Sequence, residues 1–403
     1  MQKSKITAIC AEIARRLAEV HTVPFFPDGR EILLISDTYP GIWLEHVYDS
    51  VFYAKLDPSK RQLAENAVRL FIEHQRPDGQ LPFAAAKKDG IAVRYSQIQE
   101  CVSFARLSFE VYQMNRDRAF LETIYQSAVA WDAWLCRHRM TTGRGLIEMF
   151  CGYDSGHDNS GRLLGMAYPR NHSHDGEVMD AGVLPTGDDV TPILAVDMNC
   201  HFYNTKTALA DMADELGLLA EADAWRAQAA AVKLALFEHC YDPFDGYFYD
   251  VDRHGNKRRV QSSTLFHLFS EHVLDPETDV EVIERLYREH IHNPESFWTP
   301  YPFPSVSIAD PTWKKHTDAN CWGYFSQALI ALRCTRWMDD YGFSADFDHL
   351  CNRWIEAWTR CYDTVKLGQE LDPLTGEPSS CSEWYSSCML FYLYAARRLG
   401  LVE

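Results

Sequence analysis

The chain has 403 residues and carries 57 acidic against 39 Lys and Arg side chains, a net charge of −18. This excludes a polyanionic partner, because nucleic-acid binding draws on clustered basic residues that the chain lacks. Apolar residues at 46% and charged residues at 24% describe a globular protein with a sizeable core, and no apolar run is long enough to span a bilayer. The expected partner is a small molecule, neutral or lightly charged, and neither a nucleic acid nor a membrane.

Apolar residues recur at helical spacing through most of the chain, and alternating strand patterns are scarce. The first segment, 4–20, is an amphipathic helix whose Lys5, Glu12, Arg15, Arg16 and Glu19 interrupt any leader-like apolar run. Further helices are predicted over 42–55, 59–75, 96–113, 117–138, 198–216, 219–239, 260–270, 279–291, 319–340, 345–363 and 381–398. Asp57-Pro58-Ser59, Asn115-Arg116-Asp117 and Gly217 have the chemistry of short turns between antiparallel neighbours. The interval 140–197 is too rich in Gly, His, Asp and Pro for helix, and long loops of that kind in compact domains are usually functional. Twelve helices in six hairpins predict an all-α (α/α)6 toroid, a single domain over 1–403 with its active-site loops at one end and near 140–197.

The 12 cysteines include no Cys-x-x-Cys pair and mostly fall within helical patterns, where thiols behave as small buried hydrophobes. A reducing, cytoplasmic setting is expected. Nothing in the sequence specifies an oligomeric state.

The most informative stretch is Gly152-Tyr153-Asp154-Ser155-Gly156-His157-Asp158-Asn159-Ser160, an acid-bearing loop between long helices. Far down the chain lies Gln369-Glu370-Leu371-Asp372-Pro373-Leu374-Thr375-Gly376, followed by Ser382-Glu383-Trp384-Tyr385. Two separated carboxylates beside tryptophans suit glycoside hydrolysis, in which one acid protonates the leaving oxygen and an opposing carboxylate activates water. The 11 Trp, 20 Tyr and 21 Phe give ample material for stacking on sugars, although most must fill the core of a helical protein this large.

These segments, with Trp43-Leu44-Glu45-His46-Val47-Tyr48-Asp49, Gln75-Arg76-Pro77-Asp78-Gly79-Gln80-Leu81-Pro82 and Phe303-Pro304-Ser305-Val306-Ser307, resemble the (α/α)6 glycosidases of families sixty-three and thirty-seven. Those families contain processing α-glucosidases, trehalases and small mannosylglycerate and glucosylglycerate hydrolases. The resemblance implies an exo-acting, inverting α-glycosidase that needs no cofactor and no metal, with Asp158 on the general-acid position. The family's base Glu commonly lies four residues before the Pro of Asp-Pro-x-Thr-Gly, where this chain has Gln369; Glu370 follows one residue later. Glu370 and Glu383 are therefore the base candidates. The family's Arg-Gly-Pro-x-Trp segment is also replaced, by Asp318-Ala319-Asn320-Cys321-Trp322.

For sugar contacts, Trp43, Trp298, Trp322 and Trp384 are candidates for stacking, and Asp49, Arg94, Gln97, Tyr153, His157, Asn159 and Asn320 for hydroxyls. A polyol pocket needs such polar groups among aromatic walls, because apolar walls cannot discriminate hydroxyl positions. His157, His172 and His174 share one loop but fit no zinc spacing. Two other readings remain open: a sugar 2-epimerase using His201 or His316 as acid and base, and a non-catalytic carbohydrate-binding toroid.

Overall fold

The computed structural model describes residues 2–402 except 40, 89, 99–101, 158–159, 164–172, 175–176, 179, 184–191, 316–321 and 380. Asp158, Asn159 and Asn320 thus lie outside the described residues.

Among the described residues there are twelve α-helices: α1 (Gln2–Arg16), α2 (Val47–Leu56), α3 (Arg61–Glu73), α4 (Phe104–Asn115), α5 (Arg118–His138), α6 (Val196–Leu216), α7 (Leu219–Ala235), α8 (Phe266–Ser270), α9 (Val280–Leu286), α10 (Ala328–Arg333), α11 (Ser344–Cys361) and α12 (Ser386–Arg398). Each falls within or beside one of the predicted segments. The even-numbered helices pack side by side from α2 to α4, α6 and α8, across Cys334–Arg336 to α10, then to α12 and back to α2. This closed ring of inner helices is the (α/α)6 toroid, and the odd-numbered helices cover its outside.

Sequence explains the division. On α11, Phe347, Leu350, Cys351, Trp354, Ile355 and Trp358 form one buried stripe at the three-to-four-residue spacing of a half-exposed outer helix. By contrast every residue of α10, and every residue from Ser386 to Leu393 on α12, is buried, as an inner helix between two layers requires. The turns follow the expected chemistry: the Asp57 carboxylate accepts from Ser59 N at 3.0 Å, and Asp117 from Ala119 N at 2.9 Å. Gly217 ends α6 at φ +80°, where a side chain would be strained.

Several predicted helices begin too early. The described N-terminal parts of 42–55, 96–113, 260–270, 319–340 and 381–398 are not α-helix, so α2, α4, α8, α10 and α12 start five to nine residues later than the apolar pattern suggests. Gly41–Trp43, for instance, is a strand paired with Ala84–Ala86. There a Cβ on Gly41 would collide with the Ala85 carbonyl, so only glycine permits the approach. These late starts matter because the displaced residues build the cavity at that end of the ring. No helix among the described residues is long and apolar enough to cross a membrane.

Candidate active site

A cavity opens where α2, α10 and α12 begin. Trp43, Glu45 and His46 enter it from the segment preceding α2, Leu329 from the first turn of α10, and Tyr385 from the residue before α12. Gly156, Trp322 and Gln369 reach it from loops, and Ile35 and Tyr39 from the segment ahead of Gly41.

The loop at 150–157 is held from below. Asp154 is fully buried, and its carboxylate accepts from the backbone N–H groups of Phe150, Cys151 and Ile98 at 2.9, 3.3 and 3.2 Å. This fixes the turn that brings Gly156 to the cavity. Asp154, one of the two acids in the sequence of this loop, is the one that builds it. His157 then lies flat on Trp322, with ring centroids 4.0 Å apart and planes 10° from parallel. Burial, with further opposition from the Arg162 and Arg333 charges, pushes the His157 imidazole down to about 3 against the pull of Asp197, so it is neutral near pH 7.

The opposite wall carries a second polar group. His46 Nε2 and the Tyr385 hydroxyl are 2.5 Å apart. Glu45 is 5% exposed, with one carboxylate oxygen 3.5 Å from Arg333 Nη2 and the other 3.7 Å from His46 Nδ1. Behind it, Asp49 accepts hydrogen bonds from the hydroxyls of Ser386 and Ser387, and its Oδ1 has no hydrogen-bond partner. Burial raises its pKa, partly offset by His46 and the two serines.

Of the sequence's sugar-binding candidates, Trp43 and Trp322 line this cavity, and His157 backs it through Trp322. Asp49 is buried one layer below. Gln97 is buried, Tyr153 half-buried and Arg94 exposed; none of the three lines the cavity. Trp298 packs instead on His292, Phe303 and His349. Trp384 lies under the Arg16 guanidinium and against Tyr362, because its φ of +51° reverses the chain between it and Tyr385.

Neither base candidate faces the cavity. Glu383 is exposed and accepts from Lys366 N at 3.1 Å. Glu370 is fully buried in the short strand Glu370–Leu371, opposite Gln327 in register, and accepts from Gln327 Nε2 at 2.9 Å and Ser379 Oγ at 2.6 Å. Successive residues of an extended chain point to opposite sides, so Gln369 turns to the cavity and Glu370 away from it. Glu45, His46, Tyr39, Tyr385 and Gln369 line the cavity without having stood out in the sequence. The position of Gln369, where the family commonly has its base, was the one available signal.

A closed ring of six helical hairpins with one aromatic, acid-bearing cavity at the N-terminal ends of its inner helices is the scaffold of a six-hairpin glycoside hydrolase. Residues 46–383 match the mannosylglycerate hydrolase MGH1-like glycoside hydrolase domain. The chain belongs to that family and is a glycoside hydrolase. Its fold is shared with the family 63 mannosylglycerate hydrolase of Thermus thermophilus, solved with glucose, at TM-score 0.72 and 16% identity over 98% of this chain and 99% of that one. The same enzyme with Tris and D-glycerate gives TM-score 0.71 and 16% identity over 96% and 99%. The neutral trehalase of Saccharomyces cerevisiae gives 0.67 and 14% over 93% of this chain and 76% of its own. Among curated protein sequences none matches significantly.

Proposed function

We propose that the protein is an inverting, exo-acting α-glycosidase that cleaves a small glycoside or the non-reducing end of a short oligosaccharide. The observation that carries this reading is the cavity itself, in which two tryptophans, a carboxylate and an amide face one another at one end of a closed helical ring. Such a space takes one sugar ring by stacking and orients its hydroxyls by hydrogen bonds. The relatives solved with glucose and with D-glycerate support a small substrate of this kind.

In the proposed reaction Asp158, two residues beyond Gly156 in sequence, protonates the leaving oxygen. Gln369 orients the attacking water through its amide oxygen, but an amide cannot take the proton. We assign that step to Glu45, the one carboxylate among the described residues that lines the cavity. Water attack from the side opposite the leaving group gives inversion and requires the two carboxyls to stand about 6.5–9.5 Å apart. Ten described cysteines are free thiols, nine of them buried, which supports a cytosolic setting.

A panel of nitrophenyl α- and β-glycosides, followed by proton NMR during early turnover, tests the reading. Release from an α-glycoside with the β-anomer appearing first is the expected outcome. First appearance of the α-anomer would indicate retention and remove the proposed mechanism, while mass-neutral conversion of a free sugar would identify an epimerase.

A further inference from the structure

Below the Trp322 wall, the inner helices α6 and α8 face one another with two matched pairs of side chains. Asp197 and His201 are four residues apart on α6, and His267 and Glu271 are four apart on and just after α8, so each pair shares one helix face. All four side chains, and His157 above them, are buried to within 3% of complete. No element of the hydrolytic reading uses this cluster.

The contacts run in one direction. His157 Nδ1 is 3.4 Å from Asp197 Oδ2, and Asp197 is itself held by Arg162 through both oxygens at 2.9 and 3.2 Å. His157 Nδ1 therefore carries the proton and Nε2 the lone pair. Facing that lone pair at 3.4 Å is His267 Nε2, which donates, so the lone pair of His267 lies on Nδ1. His267 Nδ1 has no hydrogen-bond partner, nor does either nitrogen of His201. His201 Nδ1 stands 3.5 Å from Glu271 Oε1, while the other oxygen of Glu271 accepts from the Asn204 amide. One donor atom from each of His201, His267 and Glu271 lies within 4.8 Å of the other two.

Buried polar atoms are nearly always partnered, so unpaired nitrogens on both His201 and His267, two rings that share a cluster with the Glu271 carboxylate, need an explanation. Ligands around a tetrahedral ion with bonds of about 2.0–2.1 Å sit roughly 3.3–3.5 Å from one another, longer than a good hydrogen bond. We propose that His201, His267 and Glu271 bind one divalent transition-metal ion, with two imidazoles and a carboxylate matching Zn²⁺. Asp197 and His157 then act from behind, fixing the tautomer of His267 as carboxylate and histidine partners do around metal-bound imidazoles. Asn204 does the same for Glu271.

The ion would pin α6 to α8 directly beneath His157 and Trp322, and so brace the floor of the sugar cavity. The linear sequence offers no metal pattern, because the donors come from two successive inner helices, with His201 and Glu271 70 residues apart, about one hairpin of the toroid.

Metal-stripped full-length protein, dialysed against Zn²⁺ and separately against Co²⁺, tests the site. Elemental analysis should give about one equivalent of Zn²⁺, the Co²⁺ form should show visible d–d bands of a low-coordinate ion, and Tm should rise over the stripped protein. His201→Ala combined with Glu271→Gln should bind at most about a tenth as much while keeping the circular dichroism of the parent. If that variant does not fold, His267→Asn takes its place, and the Co²⁺ spectrum of the unmutated protein decides. Parent protein that retains no ion after dialysis, or folded variants that retain as much as the parent, would overturn the site.

Discussion

Gln369 and Glu370 are neighbours in the chain and face opposite ways: the amide lines the cavity, and the carboxylate is locked behind it by Gln327 and Ser379. A glycosidase needs a carboxylate on the cavity side to activate water. Where the family commonly carries one, this chain carries a group that can orient water but not deprotonate it.

Exchanging the pair's roles by mutation separates the possibilities. Gln369→Glu should be no faster than wild type, since the proposed mechanism already takes its base from Glu45 and two carboxylates close together disfavour each other's charge. A tenfold or greater rise in kcat would instead place water activation at 369. Glu370→Gln should keep kcat within about threefold but lower stability by roughly 1–3 kcal/mol, because a buried acceptor pair is disrupted. Thermal melts and steady-state kinetics on the same preparations read both effects.

Glu45→Gln should lower kcat by about 10²–10⁴-fold, the usual worth of a general base. Sodium azide should then restore turnover of a glycoside with a good leaving group and yield the inverted glycosyl azide. Loss of binding without rescue, seen as a raised KM at unchanged kcat, would mark Glu45 as a sugar-holding residue only.

For the acid, Asp158→Asn should fall by a similar 10²–10⁴-fold on substrates with poor leaving groups. It should fall far less on a dinitrophenyl glycoside, which needs little protonation. Equal losses on both substrates would contradict proton donation by Asp158.

Much of this protein is legible in its sequence, and the boundary is physical. The twelve helices announce themselves because stripes such as Phe347 to Trp358 on α11 repeat at helical spacing. The loop ending at His157 stands out by composition. What stays hidden depends on which way a side chain turns: Trp384 and Glu383 look like cavity residues until the positive φ of Trp384 sends them to Arg16 and Lys366. Trp43 and Glu45 read as helix because their apolar neighbours Ile42, Leu44 and Val47 continue the pattern, whereas the close pairing of Gly41 with Ala86 imposes a strand. The buried cluster of Asp197, His201, His267 and Glu271 comes together only when the ring closes.

Asp49 offers a pH test of the site's foundation. Its carboxyl is buried beneath Glu45, accepts from Ser386 and Ser387 through one oxygen, and leaves the other unpartnered. Desolvation outweighs the help of His46 and the serines, so its folded pKa lies above the ordinary aspartate value of about 3.9. For such a group the unfolded chain loses its proton first. Its contribution to stability is complete below the unfolded pKa and declines as pH rises through the folded one. Asp49→Asn keeps an oxygen that accepts from both serines and carries no charge at any pH. The difference in Tm between Asp49→Asn and wild type should therefore move in the variant's favour as pH rises from 4 toward 8. Melts of both proteins across this range, at fixed ionic strength, check it. A difference that stays flat, or moves toward the wild type, would mean that Asp49 is ionised in the fold and stabilised by His46 and Arg333 more than burial opposes it.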